Sequence, residues 1–371
     1  MRVAIDAIPL LVRSAGVKNY LYHWTRQLQR LSGDVEIDLF PFLNGPYALD
    51  HEKSAVGRLT TYARLGLLFG MNRVPFNISG WISPRADVFH TCKVLNPPRR
   101  AKLTATIHDL TCWLLPETHS PANVLGDKRF AEKILQRADG LIAVSEATRL
   151  DAIRVLGIAE RKIRTIYSGV TDRFFQVTAQ DAEAVRARHG LSRPYLLFVG
   201  AIEPRKNLET LLDAHGDLTA SVREEFDLVV AGPPGWKTEK TLARLRQSER
   251  GIRYLGYVPE PDMPGLFAGA TAFVYPSLYE GFGFPIAQAM AAGTPVITSA
   301  VSAMPEIVGE AGVLVDPRSR MELRDAMQAL LTSPPRRAEL IRLGRKNAQR
   351  FSWAECARQS LEFFRDVAAR S

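Results

Sequence analysis

Cysteine is scarce in this chain of 371 residues. The three cysteines, Cys92, Cys112 and Cys356, form no CxxC pair and no cluster with histidine. An odd count without such spacing argues against a disulfide framework and against a zinc site. The cysteine pattern fits a reducing compartment, so we expect a cytoplasmic protein.

Long apolar runs are missing as well. No segment reaches the roughly 18 uninterrupted apolar residues that a membrane-spanning helix needs. The N-terminal stretch MRVAIDAIPLLV is interrupted by Asp6 and no cleavage site follows it. This stretch indicates a first strand rather than a signal peptide.

Several motifs of catalysis and nucleotide binding are absent. There is no Walker A, GxSxG or HExxH pattern and no GxGxxG after the first strand, which argues against the corresponding nucleotide-binding, serine-hydrolase and zinc-protease sites. The single dense acidic pattern, DVEID, alternates along a strand instead of forming a metal-binding loop. We therefore expect no metal ion and no cofactor.

Acidic residues are under-represented in the first half. Residues 1–180 hold 24 Lys and Arg against 16 Asp and Glu, a net charge of +8, and the remainder carries only +1 of the total +9. The excess indicates an anionic partner for this half or else a solubilising surface. Aromatic residues do not interleave with these charges as a nucleic-acid platform requires, so we expect no nucleic-acid partner.

Twelve short β-branched runs alternate with helical segments, six in each half. Many are apolar almost throughout, as strands covered by helices on both faces are. The alternation predicts an α/β fold with two doubly wound parallel sheets in tandem, whose ligands bind at the carboxyl ends of the strands. The runs lie at 2–9, 35–43, 87–92, 102–110, 140–145, 163–169, 195–201, 226–232, 253–258, 272–277, 295–300 and 312–317.

The stretch EGFGFPIAQAMAAGTP follows one of these runs. Gly281 and Gly283 allow a close backbone approach, Pro285 fits the first position of a helix, and Gly293 ends that helix. A glycine-rich loop that leads into a helix N-terminus favours phosphate. Glu280, beside that phosphate, suits the hydroxyl groups of a sugar or ribose, or else serves as a helix-cap charge.

Basic residues occur in EPRKN, after the first strand of the second half. Arg205 and Lys206 lie at the predicted start of a helix, where the helix dipole disfavours cations. A bound diphosphate would reverse that cost, because a guanidinium and an ammonium group recognise it together. The alternative is a pair of solvated basic side chains.

In the first half, TIHDL places His108 and Asp109 at the end of a strand, where side chains facing a ligand cleft are expected. Histidine is the side chain most prone to titrate near neutral pH, although a structural histidine is the alternative. In the loop RSAGVKNY, Gly16 offers room for a ligand to approach the backbone.

In this order the motifs resemble the GT-B retaining glycosyltransferases of family 4, especially bacterial mannosyltransferase-like members of surface polysaccharide synthesis. The similarity runs almost end to end, and no single motif would suffice. Its motifs are HDL (108–110), VSEATR (144–149), KIRTIYSGV (162–170), FVGAIEPRKNL (198–208), PSLYEGFGFPIAQAMAAGTPVI (276–297), MPEIVGEAGVLVDP (304–317) and FSW (351–353).

The resemblance implies two Rossmann-like domains facing across a cleft. The acceptor-binding domain would span residues 1–176, with a last helix at about 353–371 returning to it, and the donor-binding domain 177–352. It also implies a role for each matched residue. The catalytic residues would be Glu280, His108, Arg205 and Lys206; the donor-binding residues Gly281, Phe282, Gly283, Phe284, Gln288, Tyr257 and Val258; the acceptor-side residues Gly16, Asp109 and Ser145.

Three departures from the family pattern are visible. Gln288 stands where a second Glu usually binds the ribose hydroxyls; an amide can still accept and donate a hydrogen bond. Ala15 replaces the first glycine of a frequent Gly-Gly pair, and Ala201 replaces an arginine found in some members, which gives Arg205 more weight.

The reaction implied is transfer of a hexosyl group, mannose favoured, from a nucleotide diphosphate sugar with retained anomeric configuration and without a metal ion. GDP-mannose is the first expectation for the donor, ahead of UDP-glucose or a related UDP-sugar. The alternatives are another enzyme of the same fold, such as an epimerase or phosphorylase, and a nucleotide-sugar sensor of weak activity.

The acceptor is expected on the basic half. The segment Lys53–Arg73 mixes arginines with leucines and a phenylalanine, and a second basic group lies nearby at Lys93, Arg99, Arg100 and Lys102. We expect peripheral attachment to an anionic membrane and a saccharide or polyprenyl-diphosphate-linked acceptor. A helix packed on its sheet, with its charges in water, is the alternative.

Overall fold

Parallel strands organise the chain. The computed structural model describes residues 1–12, 16–41, 43, 49, 53–73, 85–247 and 251–370. Each of the twelve predicted strands is present, and every strand pairing between them is parallel. The prediction of two doubly wound parallel sheets is therefore confirmed.

The first sheet has the strand order β2-β1-β3-β4-β5-β6. Its order reverses between β1 and β3, the type of position at which open α/β sheets bind ligands. The strands are β1 (Arg2–Asp6), β2 (Glu36–Phe40), β3 (Val88–Thr91), β4 (Lys102–Ile107), β5 (Gly140–Ala143) and β6 (Ile163–Thr165).

The second sheet has the order β12-β11-β10-β7-β8-β9 and reverses between β7 and β10. All five residues of β8 and all four of β10 are buried, which explains their nearly unbroken apolar sequences. The strands are β7 (Tyr195–Val199), β8 (Asp227–Ala231), β9 (Ile252–Gly256), β10 (Ala272–Tyr275), β11 (Val296–Ser299) and β12 (Gly312–Val315).

Helices connect the strands. In the first half and at the C-terminus they span Gly16–Leu31, Arg58–Arg73, Thr111–Leu114, Pro121–Phe130, Glu146–Leu156 and Trp353–Ala368, with single turns at Ile8–Leu11, Pro116–Thr118, Ala131–Leu135 and Glu160–Lys162. In the second half they span Asp172–Phe175, Ala179–Arg188, Leu208–Gly216, Ala220–Glu225, Glu239–Arg246, Met263–Ala268, Phe284–Ala292, Met304–Val308, Arg320–Leu331 and Pro334–Ala348, with short turns at Pro204–Lys206, Glu260–Asp262 and Gly309–Ala311.

Two compact units make up the chain. The first comprises residues 1–113, 121–169 and 352–371, and the second comprises residues 114–120 and 170–351. The sequence-based division places 114–120 and 170–176 in the first domain and residue 352 in the second, whereas the contacts assign 114–120 and 170–176 to the second unit and residue 352 to the first. Trp236 Nε1 donates to the carbonyl of Thr118 at 2.6 Å, and the rings of His119 and Trp236 stack 5.7 Å apart.

The C-terminal helix Trp353–Ala368 belongs to the first unit. Trp24 Nε1 donates to Ser360 Oγ at 2.9 Å across 336 positions of sequence. Two glycines let the helix approach the first sheet: a Cβ at Gly140 would lie 2.6 Å from Val367, and one at Gly169 would lie 2.2 Å from the backbone nitrogen of Trp353. Larger residues at either position would displace the helix.

In the described part of the chain, no helix has both the length and the apolar character that crossing a membrane requires.

Candidate active site

The reversal of strand order in the second sheet places two sequence motifs side by side. β7 and β10 pair directly, with Leu196 opposite Ala272 and Leu197 opposite Phe273. EPRKN follows β7 and EGFG follows β10. Because parallel neighbours end at the same edge, loops that are more than 70 residues apart in sequence meet there.

Glu280 is the centre of a buried charged cluster at this edge. Its Oε1 lies 2.6 Å from Lys206 Nζ, and its Oε2 lies 3.0 Å from Arg205 Nη1. The hydroxyl of Tyr275, at the end of β10, donates to Oε1 at 2.9 Å. Glu280 and Lys206 are each only 7% exposed. The structure therefore brings Glu280 of the EGFG motif into contact with Arg205 and Lys206 of the EPRKN motif.

The cluster includes a second carboxylate, which the sequence analysis missed. Glu203 Oε1 lies 2.7 Å from Arg205 Nε, and Glu203 is 6% exposed. Tyr275 was also missed as a polar contributor, since the run AFVYPS indicated only a strand. The signal available in the sequence was EPR itself, a carboxylate two residues before an arginine.

Electrostatics fix the charge of Glu280. Burial alone would raise the pKa of its carboxyl group, but the adjacent Arg205 and Lys206 outweigh burial and hold that pKa at about 2. Burial and the neighbouring guanidinium lower the pKa of Lys206, with Glu280 opposing them. Burial raises the pKa of Tyr275. Glu280 is thus an anion and Tyr275 a neutral donor at neutral pH.

The glycine loop forms the entrance to the helix Phe284–Ala292. Gly283 is the N-cap residue with φ +89°, and Gly293 caps the C-terminus with φ +80°, both left-handed conformations that favour glycine. Pro285 is the second helical residue instead of the first as predicted. Since Gly283 has no side chain with which to cap the first turn, this end of the helix can accept an anion from outside.

Phe282 and Gln288 have different surroundings. The ring of Phe282 is 4% exposed and packs edge-to-face on Phe351 at 5.4 Å and on Phe284 at 5.1 Å, so it fixes the loop from inside. Gln288 is partly buried on the same helix. Tyr257 and Val258 follow β9, which lies two strands away from β7 in the sheet order.

His108 lies in the first unit, immediately after β4. Its ring contacts Tyr20 edge-on, with 4.9 Å between the ring centroids. Burial lowers the pKa of His108 to about 4, with Asp109 opposing the shift and Lys93 adding to it. The imidazole is therefore neutral at pH 7 and can offer one donor and one acceptor to a ligand.

The predicted acceptor-side residues have local structural roles. Asp109 Oδ1 accepts hydrogen bonds from the backbone N–H and the hydroxyl of Thr111, at 3.1 and 2.6 Å. Ser145 is fully buried and caps the helix Glu146–Leu156 by accepting from Thr148 N–H at 3.0 Å. Gly16 begins a helix, and a Cβ built there meets no described atom within 4 Å. Ala15, noted above, lies outside the described residues.

A buried carboxylate also occupies the reversal point of the first sheet. Asp6 ends β1 and is fully buried. Its Oδ2 accepts the backbone N–H groups of Cys92, Lys93 and Val94, at 2.9, 2.5 and 2.9 Å, and its Oδ1 accepts that of Ile8 at 3.1 Å. This carboxylate organises the loop after β3 through backbone contacts.

Within the described ranges, no three His, Cys, Asp or Glu side chains are grouped in a way that could hold a metal ion.

Family models match both halves of the chain. The model described as Glycosyltransferase Family 4 matches residues 14–174, and the model described as Glycosyl transferases group 1 matches residues 181–347. The motifs and the charged cluster after β7 and β10 lie within the second match.

Relatives by sequence include bacterial mannosyltransferases. The chain is 28% identical over 384 residues to the O-antigen chain mannosyltransferase B of Escherichia coli, covering 98% of this chain and 100% of the relative. It is 28% identical over 275 residues to the serotype-specific mannosyltransferase WbdA of Escherichia coli, covering 71% of this chain but only 33% of that relative.

Solved structures share the fold. The sucrose-phosphate synthase from Thermosynechococcus elongatus aligns with a TM-score of 0.76 and 21% identity, covering 100% of both chains. Anabaena Alr3699/HepE, in complex with UDP-glucose, aligns with a TM-score of 0.72 and 19% identity, covering 98% of this chain and 99% of that one. Both comparisons support the GT-B fold that the sequence predicted.

Proposed function

Because the chain is a GT-B glycosyltransferase, with a family 4 domain followed by a group 1 domain, we propose that it transfers a hexosyl group from a nucleotide diphosphate sugar with retained anomeric configuration. The observation that carries the proposal is the meeting of Glu280, Arg205 and Lys206 beside the glycine loop after β10. Two cations and a helix N-terminus suit a diphosphate, and a buried anion suits sugar hydroxyls.

The chemistry follows from where charge develops. As the bond from the anomeric carbon to the diphosphate oxygen breaks, its electron pair goes to the departing diphosphate and the sugar becomes oxocarbenium-like. Arg205, Lys206 and the first-turn N–H groups of the helix stabilise that negative charge. The acceptor hydroxyl attacks from the same face and passes its proton to the departing diphosphate oxygen, while Glu280 holds hydroxyls of the donor sugar. The neutral His108 is proposed as a further hydrogen-bonding group for a sugar hydroxyl. This assignment uses no metal ion.

We favour GDP-mannose as the donor and synthesis of a cell-surface polysaccharide as the setting. The support is that the two relatives reported above are named mannosyltransferases, one of them of the O-antigen chain. A UDP-sugar is the alternative, since the structural neighbour HepE is described in complex with UDP-glucose.

A donor panel tests this proposal. We would measure transfer from GDP-mannose, UDP-glucose and related nucleotide sugars to lipid-linked and free saccharide acceptors, alongside the thermal shift that each donor produces. We expect turnover with GDP-mannose and none in Glu280→Ala. Full transfer by Glu280→Ala would contradict the assigned role. Donor binding without transfer to any acceptor would instead indicate a catalytically weak nucleotide-sugar-binding protein.

We propose further that the first unit attaches to an anionic membrane through the helix Arg58–Arg73, where a polyprenyl-diphosphate-linked acceptor would be reached. One face of this helix packs on a core that includes Met71 and Phe89. Its other face exposes 87% of Leu59, 71% of Tyr62 and 59% of Phe69. The helix contains no acidic residue, so an apolar surface with basic surroundings suits anionic headgroups.

Sedimentation with vesicles of phosphatidylglycerol and phosphatidylcholine at low salt tests the attachment. We expect the protein to sediment and the double variant Leu59→Ser/Phe69→Ser to stay in solution. Leu125→Ser is the matched control, because Leu125 is 70% exposed on another helix of the same unit. A wild-type protein that fails to sediment, or a control that fails equally with the double variant, would refute the proposed surface.

A further inference from the structure

Arg205 is held by two carboxylates at different nitrogen atoms. Glu203 binds Nε at 2.7 Å, and Glu280 binds Nη1 at 3.0 Å. Nη1 also donates to the carbonyl of Tyr279 at 3.2 Å. Because the guanidinium fork is planar and rigid, fixing Nε fixes the direction in which both terminal nitrogens point.

Glu203 is built into its loop. It precedes the turn Pro204–Lys206, and its carbonyl accepts the N–H of Lys206 at 3.0 Å. The loop after β8 packs against it: a Cβ at Gly235 would lie 3.3 Å from the Cβ of Glu203 and 2.6 Å from the carbonyl oxygen of Ile202. Backbone hydrogen bonds of 2.9 Å join Ile202 to Pro233 and Gly235 to Ile202. The backbone and Cβ of Glu203 are therefore held in place beside Arg205.

The net charge of the buried cluster is zero. Arg205 and Lys206 contribute two positive charges, and Glu203 and Glu280 contribute two negative charges. A diphosphate has to replace a carboxylate before it can use the cations fully. Replacing Glu280 removes the carboxylate partner of Nη1 and of Lys206 Nζ, whereas replacing Glu203 would remove the carboxylate partner of Nε and leave the guanidinium less firmly oriented.

We infer that Glu203 is a positioning residue: it holds Arg205 by Nε so that the terminal nitrogens remain aimed at the diphosphate when Glu280 turns to the sugar. The inference rests on the proposed function and deepens it. Glu203 keeps its contact with Arg205 throughout, whereas Glu280 exchanges its contact with the cations for one with the sugar. Glu203 itself is assigned no contact with the substrate.

Two substitutions separate positioning from general stability. Glu203→Gln keeps an oxygen that can accept from Arg205 Nε but removes the charge, and Glu203→Ala removes both. Glu209→Ala is the matched control, because Glu209 forms a comparable pair with Arg244 at 2.6 Å on the neighbouring helix. For each protein we would measure kcat and KM for the donor, the Kd for GDP and UDP by calorimetry, and Tm.

We expect Glu203→Ala to lower kcat/KM for the donor by roughly 10- to 100-fold, with kcat falling more than KM rises, because a misdirected guanidinium stabilises the departing charge poorly. Glu203→Gln should recover to within about fivefold of the wild type, since an oxygen that can accept from Arg205 Nε remains at the same position. Glu209→Ala should change Tm without changing donor kinetics.

Two results would overturn the inference. One is a lowered Tm in both Glu203 variants with wild-type kcat/KM, which would show a purely structural carboxylate. The other is equal damage by Gln and Ala, which would show that charge matters and orientation does not. If the wild type transfers no sugar, the proposed function fails; calorimetry still tests Glu203, because Glu203→Ala should weaken nucleoside diphosphate binding and Glu203→Gln should not.

Discussion

Asp6 and Glu280 are buried carboxylates at equivalent places in the two units. Asp6 ends β1 where the first sheet reverses its order, and Glu280 follows β10 where the second sheet does the same. Asp6 is satisfied by four backbone N–H groups, whereas Glu280 is held by side-chain cations and a phenol. Backbone donors have no alternative position, but side-chain cations can change partners. One carboxylate therefore maintains a loop and the other is free to take part in binding.

The largest effect that this comparison predicts is on catalysis. Glu280→Gln should lower kcat/KM for sugar transfer by roughly 100- to 1000-fold, because the anion that holds the donor is lost. Tm should fall as well, because the buried Arg205 and Lys206 lose the charge that balances them even though an amide of the same shape remains. Transfer assays and thermal unfolding of the same preparation check both statements. A variant that keeps wild-type transfer but unfolds early would make Glu280 resemble Asp6.

Asp6→Asn should lower the stability of the protein and leave nucleoside diphosphate binding unchanged. An amide accepts more weakly than a carboxylate and brings two N–H groups of its own among four backbone donors, so we expect a loss of about 3 kcal/mol in unfolding free energy. For a unit of this size that corresponds to a Tm lower by roughly 6–12 °C. The Kd for nucleoside diphosphate, whose binding we assign to the second unit, should stay unchanged; a weakened Kd with an unchanged Tm would contradict the comparison.

The pH dependence of stability should come mainly from buried histidines. Burial lowers the pKa of His90 to about 3, with His108 adding to the shift; burial also lowers those of His108 and, in the second unit, His215, both to about 4. Below about pH 6.5 these histidines bind protons in the unfolded chain that they do not bind in the native chain. The free energy of unfolding therefore increases with pH over this range. Above pH 6.5 these histidines should add no pH dependence, and stability should fall as pH drops from 6.5 to about 4.

Single substitutions sharpen that prediction. His108→Asn should remove about one proton from the difference between native and unfolded states near pH 5, and His215→Asn should do the same for the second unit. Denaturant unfolding at several pH values measures the slope. An unchanged slope in His108→Asn would mean that its imidazole titrates normally.

Gln288→Glu is expected to improve donor binding, a smaller effect than those of the preceding substitutions. A carboxylate on the helix Phe284–Ala292 would accept from ribose hydroxyls more strongly than the amide, so KM for the donor should fall by roughly 3- to 10-fold. Gln328→Glu is the matched control, because the Gln328 side-chain oxygen accepts from the backbone N–H and the hydroxyl of Thr219 on the surface of the second unit. An unchanged KM, or equal changes in both variants, would place Gln288 away from the ribose.

The smallest expected effect is that of a chelator. Since Arg205, Lys206 and the helix N-terminus are assigned to the departing diphosphate, EDTA should leave kcat/KM within about twofold of its untreated value. Transfer assays with and without added Mg²⁺ check this. A loss of activity that Mg²⁺ restores would transfer that role to a metal ion.

The sequence predicts the fold more completely than it predicts the charged cluster after β7 and β10. Apolar runs with turn residues between them located all twelve strands, because strands covered on both faces carry a nearly continuous apolar signal. Glu203 and Tyr275 were missed because their importance depends on the pairing of β7 with β10, which is a tertiary property. Pro285 was misplaced by one residue, as helix ends are set by cap geometry that composition only approximates.

The first unit is completed late during synthesis of the chain, because its last helix follows residues 170–351 of the second unit in the sequence. Its helix Trp353–Ala368 supplies eight buried residues, and Trp24 bonds to a serine that is synthesised 336 residues later. During synthesis from the N-terminus, residues 170–351 emerge before that helix does, so the second unit can fold while the first still lacks part of its core. A nascent chain stalled before Trp353 would expose Gly140 and Gly169 to solvent, and the first unit would become protease-resistant only once the helix Trp353–Ala368 has left the ribosome.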